Sequence, residues 1–240
     1  MLTCALIGPD GSGKTTVCKR LEQELEVPTR YIYMGVSADS SNVMLPTTRL
    51  VRGIKRMLGA PPDTRGPRDH AEARSQSRSS GVKSAVRGVK ATLGLLNRAG
   101  EEWFRQSVAW YYRMRGNVVL FDRHFYADYY AYDIAGNDDA RSTTRKLHGW
   151  MLERMFPRPD LVIYLDAPAE VLMARKGEGT LELLERRRND YLELRDMFEH
   201  FVVVDASQPE DDVVQLVASK IRNHRALTDS RASEVENVAR

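Results

Sequence analysis

A glycine-rich loop between a predicted strand and a predicted helix constrains this chain more than any other feature. Residues 8–16 read Gly-Pro-Asp-Gly-Ser-Gly-Lys-Thr-Thr and fill every position of the pattern G-x-x-x-x-G-K-[ST]. The loop follows an apolar run at 2–7, and the helical pattern after it has apolar residues at 17, 21 and 25. Glycines let successive backbone N–H groups converge on a phosphate, and the following helix directs its positive dipole end at the same anion. The loop therefore predicts binding of a nucleoside triphosphate.

The residue types in this loop suggest separate roles. Lys14 is expected to reach the β- and γ-phosphates, and the Thr15 hydroxyl can bind Mg²⁺. A structural turn alone would not explain Lys-Thr at this point, so we expect ATP with Mg²⁺ as the ligand. The nucleotide-binding residues predicted from the pattern are Gly8, Asp10, Gly11, Ser12, Gly13, Lys14, Thr15 and Thr16.

Short apolar runs alternate with helical patterns along the chain. Continuous apolar runs of this length predict strands buried on both faces, as in a parallel sheet covered by helices. The pattern therefore predicts an α/β fold with three layers. The predicted strands are 2–8, 30–35, 118–122, 161–166 and 201–205. The predicted helices are 14–26, 47–58, 82–96, 101–115, 141–156, 168–175, 180–199 and 209–223.

Length and composition favour one intracellular domain. A chain of 240 residues suits a single α/β domain with insertions, and we expect residues 1–224 to form it. The polar residues 225–240 are expected to be a flexible tail. The sequence has no apolar run of membrane-spanning length, and we expect a cytoplasmic protein. Cys4 and Cys18 lack metal-ligand spacing and are expected to be buried, reduced thiols.

Positive charge is concentrated in the middle of the chain. Residues 49–115 contain 15 Lys and Arg but five Asp and Glu, although the net charge of the whole chain is +3. Residues 36–116 are interpreted as a basic insertion on the acceptor side, with a mobile loop at 60–81 that is poor in apolar residues. Such a segment can bind a phosphorylated substrate, a polyanion or an acidic membrane surface, or it can be a solvated face. The sequence has no nucleic-acid-binding motif that combines aromatic and basic residues.

An acid and an arginine follow the third predicted strand. Asp122 should lie at the carboxyl edge of the sheet, where ligands bind in folds of this kind. A carboxylate there can hold a magnesium-bound water, and Arg123 offers a bidentate fork for phosphate. Alone, the pair could be a helix cap with a surface ion pair. Together with the loop it favours a catalytic site with Thr15 and Asp122 as metal ligands, and His124 as a hydrogen-bonding partner rather than a base.

A second basic segment, residues 175–188, predicts a lid over the phosphates. Gly177 and Gly179 interrupt a short helix, and three successive arginines at 186–188 follow on the next one. A segment of this kind can close over phosphates and supply positive charge to the transferred group. Arg175 is predicted to contact phosphate. Three successive arginines point in three directions, so at most two of them can face a ligand and the others should form ion pairs.

These motifs resemble the thymidylate kinase family, within the nucleoside monophosphate kinase-like P-loop fold. The resemblance implies a five-stranded parallel sheet, transfer of the ATP γ-phosphoryl group to a monophosphate, and a requirement for Mg²⁺. It covers roughly the first 35 residues and 117–223, in the family's order. It rests on the loop form G-x-D-G-x-G-K-T-T, Asp122-Arg-His, the run Leu165-Asp-Ala-Pro-Ala-Glu-Val-Leu172 with Arg175 beyond it, and Val204-Asp-Ala-Ser207.

The resemblance also implies residue roles. Lys14 and Thr15 would serve the ATP phosphates and the metal. Asp10 would help to organise Mg²⁺ or the acceptor phosphate, and Arg123 would contact phosphate. Some members carry an arginine inside the loop where this chain has Gly11, so the catalytic charge is expected from the lid instead. The lid candidates are Arg175, Lys176 and Arg186–Arg188, although this lid lacks the family's usual Asp-Arg pair.

The chain departs from the family after the second predicted strand. The family carries Arg-Glu-Pro there for the acceptor nucleotide, whereas this chain reads Tyr31-Ile-Tyr-Met-Gly-Val36. Three interpretations therefore stay open. The favoured one is an ATP-dependent kinase of a nucleoside monophosphate, a small phosphorylated acceptor. The second is a kinase of a sugar, glycan or lipid-linked alcohol, and the third is a nucleotide-binding module without turnover. The sequence leaves a homodimer possible.

Overall fold

The computed structural model describes residues 1–35, 41–57, 81–130, 143–177 and 179–238. The loop predicted at 60–81 lies outside these residues except for Gly81, the first residue of a helix. Among the described helices, none is long and apolar enough to cross a lipid bilayer.

The centre of the fold is a five-stranded, all-parallel sheet. Its strand order is β2-β3-β1-β4-β5, so β1 lies between β3 and β4. The register places Leu6 opposite Asp122 and Ile7 opposite Tyr164. Both the α/β class and the five parallel strands predicted above are confirmed. The strands are β1 Thr3–Ile7, β2 Thr29–Tyr33, β3 Val118–Asp122, β4 Leu161–Asp166 and β5 Phe201–Asp205.

Helices connect and cover the strands. They are α1 Lys14–Glu24, α2 Pro46–Met57, α3 Gly81–Met114, α4 Phe125–Tyr129, α5 Thr143–Arg154, α6 Ala169–Lys176, α7 Leu181–Glu193 and α8 Glu210–Val238. A 3₁₀ turn, Leu194–Met197, follows α7. The short helix α4 has no counterpart among the predicted helices.

Three predicted helices differ in extent from the structure. The helices predicted at 82–96 and 101–115 are one continuous helix, α3. Gly100 does not break it, because one glycine costs a helix only about 1 kcal/mol. A Cβ at Gly100 would lie 3.4 Å from Leu45 Cδ1. The helix predicted to end at residue 223 continues to Val238, since no Gly or Pro stops it after Glu210. The flexibility expected of residues 225–240 stays a prediction.

The chain divides into two compact units. The first contains residues 1–32, 109–124 and 158–240, and the second contains residues 33–108 and 125–157. The core of the first unit is apolar and is built from four of the strands and the helices α1, α6, α7 and α8. Cys4 and Cys18 are part of this core as free, buried thiols, which confirms the prediction for both. Burial raises the pKa of each thiol, so both stay protonated.

The second unit has a polar interior along α3. The buried carboxylate of Glu102 lies 3.0 Å from Nε2 of His148 on α5. The guanidinium of Arg105 donates to the Gly35 carbonyl over 2.8 Å and lies 3.9 Å from Glu101. Removing one partner of such a pair would be strongly destabilising, because it would leave an uncompensated buried charge.

Candidate active site

The glycine-rich loop joins β1 to α1, as the sequence predicts. Gly8, Gly11 and Gly13 have φ angles of +145°, +92° and +85°, which favour glycine because a Cβ would strain the backbone. A Cβ at Gly8 would lie 2.6 Å from the Leu165 carbonyl oxygen, and one at Gly11 would lie 2.9 Å from that of Leu172. The loop is therefore held against the end of β4 and against α6.

Helix α1 begins at this loop with its first backbone N–H groups available. Gly13 is the N-cap residue, and no side chain caps this end. Uncapped N–H groups at a helix start attract anions, and the helix dipole adds to that attraction. The start of α1 therefore has the properties that the pattern predicts for a phosphate site.

Lys14 lies across the loop that it follows. Its side chain is buried, and Nζ donates to the Pro9 carbonyl over 2.6 Å and to the Ser12 hydroxyl over 3.3 Å. The ammonium group is thus held inside the loop, where a phosphate oxygen could replace one of these acceptors. Thr15 and Thr16 follow in the first turn of α1, and both are exposed.

Asp122 ends β3 and is completely buried. The Thr15 hydroxyl donates to its Oδ2 over 2.6 Å, and the Tyr31 hydroxyl donates to the same oxygen over 3.0 Å. Its other oxygen, Oδ1, has no hydrogen-bond partner among the described residues. A buried carboxylate oxygen without a donor, next to a threonine hydroxyl, suits Mg²⁺, which prefers oxygen ligands. Mg²⁺ sites commonly use one or two carboxylates and complete the coordination shell with water and phosphate. The Asp122 carboxylate with the Thr15 hydroxyl fits a site of this kind.

Asp10, in the loop, lies among three cations. Arg123 pairs directly with its carboxylate, Lys176 Nζ lies 3.5 Å away, and Arg187 Nη1 lies 3.7 Å away. Burial raises the pKa of Asp10, but the charges of Arg123, Lys14 and Lys176 together lower it by more. The pKa of this carboxyl therefore lies well below its usual range. The carboxylate stays charged and holds the loop, the end of β3, α6 and α7 together.

Arg123 has an unusual backbone. Its φ is +65°, the one positive φ among the described non-glycine residues, and its N–H donates to the Leu6 carbonyl over 3.0 Å. A left-handed conformation is uncommon and strained in a non-glycine residue, and such residues cluster at active sites and ligand-binding loops. This turn directs the guanidinium from the end of β3 back to Asp10.

A separate ion pair fixes α7 to the sheet. Arg188 donates to both oxygens of Asp166 at the end of β4, over 2.8 and 2.9 Å, and to Glu185 over 2.7 Å. The Tyr164 hydroxyl also donates to Asp166, over 2.9 Å. The pKa of Asp166 is lowered, mainly because Arg188 donates hydrogen bonds to its carboxylate. Two carboxylates balance Arg188, so we interpret it as a structural anchor of α7.

The structure brings most of the predicted site residues together, with one exception. Arg175 donates to the Ala206 carbonyl, which follows β5, over 2.7 Å. Lys176 and Arg187, not Arg175, are the lid residues within 4 Å of the Asp10 carboxylate. His124 is completely buried, and burial lowers its pKa to about 3, so its ring is neutral at physiological pH.

Two residues at this edge of the sheet, one beside the site and one in it, were missed from the sequence. Asp166 follows β4 just as Asp122 follows β3, so the signal used for Asp122 could have identified it. Tyr31 lies inside β2, and an apolar strand pattern gives no reason to single out its hydroxyl. Its contact with Asp122 depends on the strand order, in which β2 is the neighbour of β3.

The fold and the loop define a P-loop nucleotide-binding protein of the α/β class. The sequence profile for thymidylate kinase matches residues 81–217, which is more than half of the chain, and an AAA domain profile matches residues 2–110. The chain belongs to the thymidylate kinase family.

Individual relatives are similar over different lengths. A probable thymidylate kinase of Pyrococcus horikoshii is 36% identical over 120 residues, which are 44% of this chain and 54% of the relative. The thymidylate kinase of Lactobacillus acidophilus is 24% identical over 92% of this chain and 94% of its own length. The chain spans about half the length of several curated relatives that it matches. A solved deoxyadenosine kinase of M. mycoides is 16% identical, with a TM-score of 0.49, and covers 92% of this chain and 100% of its own.

Proposed function

We propose that this chain is a kinase that transfers the γ-phosphoryl group of ATP to a nucleoside monophosphate. Membership of the thymidylate kinase family supports this function. The observation that carries it is the set of groups at the carboxyl edge of β1 and β3: Lys14 in the loop, the Thr15–Asp122 contact, and Asp10 with its cations.

The charge around Asp10 supports phosphate binding. One carboxylate lies among Arg123, Lys176 and Arg187, and the charge of Lys14 also acts on it. A phosphate group that entered here would meet the same four cations. A preorganised positive site of this kind stabilises the charge that spreads over the γ-phosphoryl oxygens during transfer. We therefore assign the lid charge to Lys176 and Arg187 rather than to Arg175.

The reaction needs little covalent help from the protein. An oxygen of the acceptor phosphate would attack the γ-phosphorus in line while the bond to the β–γ bridging oxygen breaks, which leaves ADP. The loop N–H groups and Lys14 would hold the β- and γ-phosphates, while Thr15 and Asp122 would hold Mg²⁺. When bound, the ion would supply positive charge to the β- and γ-phosphate oxygens.

The acceptor can be identified with a panel. We expect ADP release, measured with a coupled assay, when dTMP or another nucleoside monophosphate is added to the protein with ATP and Mg²⁺, and none with a neutral sugar or a lipid-linked alcohol. Lys14→Ala protein under the same conditions is the control for contaminating kinases. If a sugar or alcohol is phosphorylated while every monophosphate fails, the chain is a kinase of a non-nucleotide acceptor. The absence of Arg-Glu-Pro after β2 makes that alternative worth including.

The role of Arg187 can be separated from that of its neighbour. Arg187→Gln should lower kcat about tenfold, with a smaller change in the KM for ATP, because the lost charge acts mainly on the transferring group. Arg186→Gln is the matched control: Arg186 is exposed and, like Arg187, acts on Asp190, but among the described residues only Arg187 of the two lies within 4 Å of the Asp10 carboxylate. Equal losses in steady-state kinetics of the two variants would remove Arg187 from the site.

A further inference from the structure

Helix α6, which carries the first of the two cations near Asp10, is held in place by contacts of its own. The helix approaches the glycine-rich loop so closely that a Cβ at Gly11 would lie 2.9 Å from the Leu172 carbonyl oxygen. The Leu172 side chain is buried in the apolar core, and Arg175 donates to the Ala206 carbonyl over 2.7 Å. Helix α6 is therefore packed against the loop and tied to the residue that follows β5.

Helix α7, which carries the second cation, is also fixed. Arg188 donates to both oxygens of Asp166, over 2.8 and 2.9 Å, and the Tyr164 hydroxyl donates to the Arg188 carbonyl over 3.4 Å. Leu184, one turn earlier, is buried in the same core as Leu172. Segments that move as lids have few buried apolar contacts, whereas both of these helices contribute to the core.

The two cations themselves, Lys176 and Arg187, are held more loosely than their helices. Lys176 Nζ lies 3.5 Å and Arg187 Nη1 lies 3.7 Å from the Asp10 carboxylate, beyond the usual length of a hydrogen bond, and the two side chains are 40% and 39% exposed. Ion pairs of this kind are weak, because water screens the charges. Arg123 differs, since it donates directly to the carboxylate. Asp10 therefore holds Arg123 firmly, whereas it attracts the other two cations mainly by charge.

We propose that Asp10 is a positioning residue that keeps Lys176 and Arg187 beside the loop before nucleotide arrives and releases them to the γ-phosphate of ATP, while α6 and α7 stay in place. This inference rests on the function proposed above. A terminal phosphate carries up to about two negative charges, so it attracts the cations more strongly than one carboxylate does. When the γ-phosphoryl group leaves with the acceptor, the two cations return to Asp10. Only two side chains then move, and the closing movement that Gly177 and Gly179 suggest in the sequence is not required.

Amide hydrogen exchange of the full chain tests whether the helices stay in place. The probe is a non-hydrolysable ATP analogue with an imido group between the β- and γ-phosphates, added with Mg²⁺. Residues 11–16 of the loop should exchange more slowly when the analogue binds, whereas exchange in α6 and α7 should change less than about threefold. A larger gain of protection in the two helices would show a closing segment and overturn the proposal. If the loop gained no protection, the nucleotide site itself would be wrong, and the proposed function would fail together with this inference.

Calorimetric titration of the same analogue tests the role of Asp10. Asp10→Asn keeps an amide oxygen that can accept from Arg123, but it removes the charge that attracts Lys176 and Arg187. The variant should bind the analogue about fivefold more tightly than the parent protein, because two exposed ion pairs no longer have to be broken. Asp10→Glu keeps the charge and should bind like the parent. A variant that merely loosens the fold would not gain affinity.

The double variant Lys176→Gln/Arg187→Gln separates this release from a general effect of charge. Adding Asp10→Asn to the double variant should tighten binding less than twofold, because the cations that Asp10 attracts are gone. Arg186→Gln is the matched background, since Arg186 is exposed on the same helix, and there the gain should stay about fivefold. The proposal is overturned if Asp10→Asn binds no more tightly than the parent, or if adding it to the double variant tightens binding twofold or more.

Discussion

Replacing Lys14 with alanine is expected to lower the rate of phosphoryl transfer at least about a hundredfold, equivalent to roughly 3 kcal/mol of transition-state stabilisation. The ammonium group is held by the Pro9 carbonyl and the Ser12 hydroxyl, so it is already placed when nucleotide arrives. Alanine removes the charge, and no other described lysine of the loop or of α1 is buried. The fold should survive, because the strand and helix joined by the loop have an apolar core of their own.

The measurement is single-turnover phosphoryl transfer at saturating ATP and Mg²⁺. Lys19→Ala is the matched control, since Lys19 is an exposed lysine on the same helix, and it should keep full activity. Lys14→Met removes the charge but keeps much of the side-chain volume, so it should be as slow as Lys14→Ala. Full activity in either Lys14 variant would exclude a P-loop kinase mechanism.

The sheet and the glycine-rich loop could be predicted because each rests on local signals. Continuous apolar runs mark strands, and β3, β4 and β5 begin and end at the predicted residues. Burial on both faces holds for β3 and β4 but not for the edge strand β5, which is partly exposed. The loop pattern fixes where β1 ends and α1 begins. The extents of α3 and α8 could not be read locally, since a single glycine such as Gly100 costs a helix only about 1 kcal/mol and polar residues do not end one.

The candidate site was predictable only where a charged or hydroxyl-bearing residue lies at the end of a predicted strand or at the start of a predicted helix. Asp10, Lys14, Thr15, Asp122 and Arg123 lie at such ends, and the structure brings them together, while their roles stay predictions. The sequence could not show which lid arginine faces the site, because consecutive arginines on a helix point in different directions. Only the packing of α7 decides which partner each arginine contacts. Arg188 pairs with Asp166, whereas Arg187 lies near Asp10.

Asp122→Asn is expected to raise the apparent Mg²⁺ requirement at least about tenfold and to slow turnover. The substitution keeps the shape of the side chain but removes its negative charge. In the parent protein, the Thr15 and Tyr31 hydroxyls hold this carboxylate in place by donating to Oδ2. Oδ1 is the oxygen left for the ion, so the loss should appear in the Mg²⁺ titration more than in the KM for the acceptor. Tyr31→Phe removes one neutral donor, worth about 1 kcal/mol, and should shift the same titration by about fivefold.

The titration is made at fixed ATP, and the increase in unfolding temperature caused by Mg²⁺ and ADP together provides a readout that does not depend on turnover. Asp166→Asn is the matched control: it is also an acid at the end of a strand, but its carboxylate pairs with Arg188. Its activity can fall if α7 loosens, yet its Mg²⁺ dependence should stay that of the parent protein. The parent and Asp122→Asn curves would superimpose if Asp122 were only a cap for Thr15 and Tyr31. A shift in Asp122→Asn with a smaller one in Tyr31→Phe would support Asp122 as a metal ligand whose carboxylate is oriented by the Tyr31 hydroxyl.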